Sequence, residues 1–121
     1  MDTREKIVPI GSLRGLGENK KVVVGYFDPL YASGIGRLRE ICGEGERIMV
    51  IVADRPGAIL PLLARAEMVA ALRCVERVAI CNGDPMNAAA QTGACEILDE
   101  LHADERRAAE LSALIADRYQ K

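Results

Sequence analysis

The chain has 121 residues, half of them hydrophobic and 28% charged, with a mean hydropathy of +0.05, the profile of one soluble globular domain rather than a disordered, fibrous or membrane-spanning chain. Aromatics make up 3%, with no Trp and Phe27 as the sole Phe, which leaves nothing for a stacking platform on single-stranded nucleic acid. A formal charge of -2 likewise argues against nucleic acid or an anionic membrane, both of which require a basic surplus.

Residues 1–19 are polar and Gly-containing and read as an arm over the domain, with Ser12 placed to cap a short helical turn. The run from Lys21 to Phe27 is β-branched and apolar on both faces before it stops at Asp28-Pro29, as a buried parallel strand does. Arg47 to Ala53 ends in the same way at Asp54-Arg55-Pro56-Gly57, and Arg77 to Cys81 at Asn82-Gly83-Asp84-Pro85. Between these strands the period becomes helical. Leu38, Ile41 and Cys42 form a stripe in a helix starting near Ser33 and closed by Gly43 and Gly45. From Leu62 to Val75, apolar Leu63, Met68, Val69, Leu72 and Val75 interleave with Arg65, Glu67 and Arg73.

After Pro85, residues 86–91 favour helix and Cys95 to Leu98 suit a short fourth strand. Asp104 to Tyr119 carries Ala108, Leu111, Leu114 and Ile115 on one face, which predicts a closing helix. The alternation predicts a single α/β domain over residues 1–121 with a parallel sheet of three to four strands and helices on both faces; the expected form is a small Rossmann-like three-layer sandwich with strand order 3-2-1-4. Cys42, Cys74, Cys81 and Cys95 show no C-x-x-C spacing and lie in apolar stretches. They read as buried free thiols in a reduced, cytoplasmic protein. His102, the one histidine, falls in a polar stretch and is expected to face solvent, so a zinc site or a His-based triad has no material.

In sheets of this kind ligands bind beyond the carboxyl ends of the strands at the topological switch point, which directs attention to residues 25–36. A loop running from a strand into a helix gathers free N-H groups and the positive end of the helix dipole, both suited to phosphate. Neither G-x-G-x-x-G nor G-x-x-x-x-G-K-[ST] is present, which argues against dinucleotide and P-loop chemistry.

The order of a strand, Gly25-Tyr26-Phe27-Asp28, Leu30 and a helix carrying Arg37-Leu38 resembles the opening of the cytidylyltransferase-like nucleotidyltransferases. It is most similar to the nucleotidyltransferase domain of ADP-heptose synthase and to glycerol-phosphate cytidylyltransferases, where the motif reads G-[CT]-F-D-x-[LF]-H-x-G-H-x-x-x-L. Arg55-Pro56 and the block from Arg65-Ala66-Glu67 to Val78 extend the resemblance, which covers roughly residues 5 to 85.

The resemblance implies transfer of a nucleotidyl group from CTP or ATP to a sugar or polyol phosphate with release of pyrophosphate, and magnesium only where a nucleoside triphosphate is bound. It also implies a nucleotide or phosphate subsite at Gly25, Tyr26, Phe27, Asp28, Ser33, Gly34, Arg37 and Arg65. The family's H-x-G-H falls on Tyr31, Ala32, Ser33 and Gly34, so both imidazoles are replaced. Loss of one such phosphate-facing donor typically costs ~10² to 10³ in rate. The family's lysine-bearing loop after the second strand is also missing, and Ser112, inside a helix, does not replace the late Ser/Thr phosphate motif.

The expectation is therefore a catalytically impaired domain that keeps weak affinity for a nucleotide or phosphorylated small molecule and serves as a binding or regulatory subunit. The alternative is an active transferase using Tyr31, Ser33 and backbone donors. Asp28 either keeps a place beside the phosphate or caps the turn, and Arg37 and Arg65 either contact phosphate or lie in solvent. The charge run Asp104 to Arg107 reads as a solvated face. The brief second half leaves a sheet edge or apolar face to cover, which predicts a homodimer.

Overall fold

A computed structural model of the chain describes residues 2–30, 32–43 and 45–119. Five strands form one sheet: β1 (Ile7–Val8), β2 (Lys21–Gly25), β3 (Ile48–Ala53), β4 (Val75–Cys81) and β5 (Glu96–Asp99), in the order β1-β4-β3-β2-β5. Every neighbouring pair is parallel. The connecting helices are α1 (Ala32–Cys42), α2 (Leu62–Ala70) and α3 (Pro85–Gln91), and α4 (Leu101–Tyr119) follows the last strand. This is a Rossmann-like α/β sandwich, and the expected order 3-2-1-4 is the run β4-β3-β2-β5. The sheet nevertheless has five strands rather than three to four. The additional one, β1, comes from the arm, where Ile7 and Val8 pair with Val78 and Ala79.

The pleat explains why the central strands are apolar on both sides. Val23, Val50, Val52 and Val78 pack on Leu38, Ile41, Ala66 and Val69 of α1 and α2. Val22, Val24, Met49, Ile51 and Ala79 face the opposite way, onto Leu13 of the arm and Ala89 of α3. All nine of these sheet residues are fully buried, and each of them except Ala79 contributes roughly 1.5–3 kcal/mol relative to exposure. Asp84 starts α3, its carboxylate accepting from the N-H groups of Met86 and Asn87 at 3.1 and 3.2 Å, with Pro85 in the first turn.

Several boundaries and faces differ from the sequence reading. The second crossover helix ends at Ala70 instead of Val75, and a turn through Leu72 to Cys74 lets β4 begin at Val75. Leu72 and Val75 satisfied helical spacing, but Val75 is a strand residue paired with Ile48. The buried face of α2 is Arg65, Ala66, Val69 and Ala70, whereas Leu63 and Met68 are exposed.

The final helix begins at Leu101, three residues early, because the Asp99 carboxylate accepts from the Leu101 N-H at 3.0 Å. Of its expected inner face Ala108 is buried, but Leu114 and Ile115 are exposed where the helix outruns the sheet. Ser12 lies within the 3-10 turn Ile10–Leu13, whose cap is Pro9. Cys42 and Cys81 are buried, Cys74 half-buried and Cys95 exposed, all free; Cys95, beside the start of β5, departs from the buried-thiol reading. His102 is exposed, as expected. Among the described residues no helix is long and apolar enough to cross a membrane and no group of His, Cys, Asp and Glu is arranged to hold a metal ion.

The turn into β2 passes close to the turn into β5. The Gly17 N-H donates to the Thr92 carbonyl at 2.8 Å, and a Cβ at Gly17 would lie 2.7 to 2.9 Å from the backbone of Thr92 and Ala94. Backbone must therefore part to admit even a methyl group. Gly17→Ala is expected to destabilise the chain by about 1–3 kcal/mol, measured by urea unfolding; an unchanged midpoint and slope would refute the close approach.

Candidate functional site

From β2 the chain adds β3 and β4 on one side and then returns to add β5 on the other, so the switch point lies at the carboxyl ends of the adjacent strands β2 and β5. β2 ends at Gly25, and the next two N-H groups, of Tyr26 and Phe27, have no strand partner. Both donate to one oxygen, Asp104 Oδ2 in α4, at 2.8 and 3.2 Å. Successive N-H groups converging in this way form an anion-binding concavity. Phe27 adopts a left-handed backbone, φ 50°, which is costly for a residue with a side chain; its ring is buried at 3% exposure. At Gly25 any side chain would run into the Asp104 carboxylate and the Phe27 ring. Glycine is what lets the acid approach.

The other carboxylate oxygen, Asp104 Oδ1, accepts from Arg107 Nη1 at 2.8 Å. Arg107 also reaches Glu100 Oε1 at 3.4 Å, and Arg37 Nε donates to the same oxygen at 3.0 Å. Glu100 is anchored through its own N-H to the Val24 carbonyl. The result is an alternating row, Arg37, Glu100, Arg107 and Asp104, across the switch point.

Burial is the largest influence on Asp104 and pushes its pKa up from the ordinary aspartate value, against the downward pull of the Phe27 and Tyr26 N-H groups and Arg107. Arg37 is held above its usual range, chiefly by its hydrogen bond to Glu100. The Tyr26 hydroxyl is also raised, first by burial and then by the negative charge of Glu105. The Arg55 guanidinium lies 5.5 Å from the centre of the Tyr26 ring.

The expected site residues separate into three groups. Gly25, Tyr26 and Phe27 meet at the switch point, and Arg37 joins them through Glu100. Ser33 and Gly34 occupy the first turn of α1, Ser33 exposed and Gly34 buried against Leu30. Tyr31 lies outside the described residues. Asp28 and Arg65 turn into the protein. The Asp28 carboxylate accepts from the Ile59 and Leu60 N-H groups, each at 2.8 Å, after a cis Asp28-Pro29 peptide. Arg65 has no exposed surface; its Nη1 donates to the Tyr26 and Ala53 carbonyls at 2.9 and 3.0 Å and its Nε to the Leu60 carbonyl at 3.1 Å. Among the described residues its Nη2 has no hydrogen-bond partner, and it lies 3.7 Å from Asp54 Oδ1.

Glu100, Asp104 and Arg107 were not among the candidates. The expectation that residues 104–107 form a solvated face fails for Asp104, which is 6% exposed, and for Arg107, which is half-buried. Their spacing of four and three residues places all three on one helical face, continuous with Ala108. That was the available signal. Three cavities, of about 560, 490 and 410 Å³, are lined by none of the switch-point residues.

The fold and this site define a small Rossmann-like α/β domain whose switch point is closed by its own carboxylate. No family model matches the chain, and no curated protein matches it.

Two predictions follow from the geometry. Asp28→Ala strips two part-buried N-H groups of a buried carboxylate acceptor and should cost about 1–3 kcal/mol, read as a lower urea midpoint; a change within the error of the measurement would show that the loop is held otherwise. Because Asp104 binds its proton more tightly folded than unfolded, its contribution to stability is full below the ordinary aspartate pKa and is lost as pH rises through the raised one. Wild-type stability relative to Asp104→Asn should therefore improve as pH falls from neutrality toward the ordinary carboxylate range. A pH-independent difference would contradict the burial of a charge there.

Proposed function

We propose that this chain is a catalytically silent relative of the cytidylyltransferase-like nucleotidyltransferases, acting as a binding or regulatory subunit. The observation that carries the reading is the Asp104 carboxylate on the Tyr26 and Phe27 N-H groups. Phosphate and carboxylate seek the same donors, so a nucleotide phosphate entering this concavity must displace a tethered acid. Two unit charges ~4 Å apart repel by ~4 kcal/mol at an effective dielectric constant of ~20, which corresponds to roughly three orders of magnitude in affinity. Residual nucleotide affinity at the switch point is correspondingly weak.

The replaced imidazoles support the same reading from the sequence side, since Tyr31 and Gly34 stand where the family motif places its two histidines and Ser33 where it places glycine. Arg65 and Asp28 are engaged in holding the backbone and are not free to meet a phosphate. The free thiols suit a reducing cytoplasm. A homodimer is supported by the uncovered Leu114 and Ile115 on α4.

The test combines turnover with binding. The purified chain, given CTP or ATP with magnesium and glycerol or heptose phosphates, should release no pyrophosphate above the uncatalysed rate, and Asp104→Asn should bind CTP at least ~10-fold more tightly than wild type. Enzyme-like turnover by the wild-type chain would sink the reading. Unchanged affinity in the variant would remove Asp104 from the explanation.

A further inference from the structure

At the opposite, amino end of the sheet, two cavities adjoin. One, of about 560 Å³, lies between the end of α1 and the turns that lead into β3 and β4; the other, of about 490 Å³, lies against the first 3-10 turn, Thr3–Lys6. Arg47 and Arg73 line both, Arg39 the first and Arg77 the second. Arg39, Arg47 and Arg73 are exposed and Arg77 is half-buried.

Among the described residues none pairs with any of these four guanidinium groups, although most other arginines of the chain are engaged. Two of the three acids among the lining residues are already committed. Glu46 pairs with Lys21 at 3.3 Å and Glu76 with Lys20 at 2.6 Å, which leaves Glu5 as the one lining acid without such a partner. A bulge in the β3-β4 ladder contributes to this arrangement: Ile48 pairs with Val75 and Met49 with Arg77, so Glu76 is the inserted residue. A chain of net charge -2 thus sets, among the described residues, four unpaired arginines against the single unpaired lining acid Glu5 in one concave region, whose field low-dielectric walls focus.

We propose that the adjoining cavities form a binding site for a small ligand bearing two or more linked phosphate groups. Guanidinium groups offer planar, paired donors that match phosphate oxygens, and the two arginines common to both cavities are placed to take the linked phosphates. Leu72 and Cys74 supply an apolar wall in the larger cavity for the rest of an organic phosphate. The site lies at the far end of the sheet from Asp104 and does not depend on the reading given to the switch point.

Isothermal titration calorimetry of the full wild-type chain with inorganic tripolyphosphate, at low ionic strength and without metal, tests this directly. Saturable binding of one ligand per chain is expected, weakened at least ~10-fold in the double variant Arg47→Ala with Arg73→Ala and unchanged in Arg106→Ala, whose arginine lies on α4 away from the cavities. Arg39→Gln, a milder change at the cavity rim, should weaken binding without altering the circular-dichroism melt, so a folding defect in the double variant does not decide the outcome. Binding that never saturates, that falls equally in Arg106→Ala, or that survives loss of both Arg47 and Arg73 would overturn the proposal. Tighter binding of a short oligodeoxythymidine than of tripolyphosphate would also overturn it, in favour of a nucleic-acid surface. None of these results alters the pyrophosphate-release test, which stands on Asp104.

Discussion

Where a parallel sheet splays its connections apart, the last backbone N-H groups of the central strand have no neighbour to bond, and something must accept from them. In this chain the acceptor is a side chain. Asp104 reaches back from the first turn of α4 to the end of β2, and the placement of Gly25, Phe27 and Arg107 follows from that contact. Gly25 clears space for the carboxylate, the left-handed turn at Phe27 presents a second donor to the same oxygen, and Arg107 balances the buried charge. A carboxylate that is both hydrogen-bonded and paired is tolerated in such surroundings; stripped of these partners it is expelled or protonated.

A second, independent brace lies beside it. The guanidinium of Arg65 gathers carbonyls from the ends of β2 and β3 and from residue 60, while Asp28 holds the N-H groups of Ile59 and Leu60. Donor and acceptor side chains thus hold the same loop from both polarities of the backbone. The carboxyl end of the sheet is rigidified by charges turned inward, whereas the amino end keeps unpaired arginines turned outward. That contrast is what separates a self-satisfied site from one that still offers donors.

The central architecture was legible because its physics is local. Lys21 to Gly25 and Ile48 to Ala53 are unbroken apolar runs that only a doubly covered strand accommodates, and the turn residues after them mark their ends. Alternation of strands with helical segments points to parallel crossovers, while the strand order matched the expectation for a Rossmann-like sheet. What escaped depends on tertiary partners. Ile7–Val8 is too short to declare itself a strand without β4 beside it. Asp104 sits in a run of four charged residues, where composition points to solvent, and only the position of α4 over β2 makes it an interior acid. Arg65 reads as a surface cation on an amphipathic helix until the carbonyls it bridges are in place.

The arm has a consequence for the order in which the molecule is assembled. β1 leaves the ribosome before every other strand, yet its sole partners, Val78 and Ala79, come after β2, β3 and two helices. Throughout that interval Ile7 and Val8 lack the ladder they will join, although Leu13 already has Val22, Val24, Met49 and Ile51 to pack on, and the pairing of β1 must await closure of a long intervening loop. The first strand of the sheet in chain order is thus fastened only by the fourth, so the outer margin of β4 is covered by a segment that precedes it by roughly 70 residues.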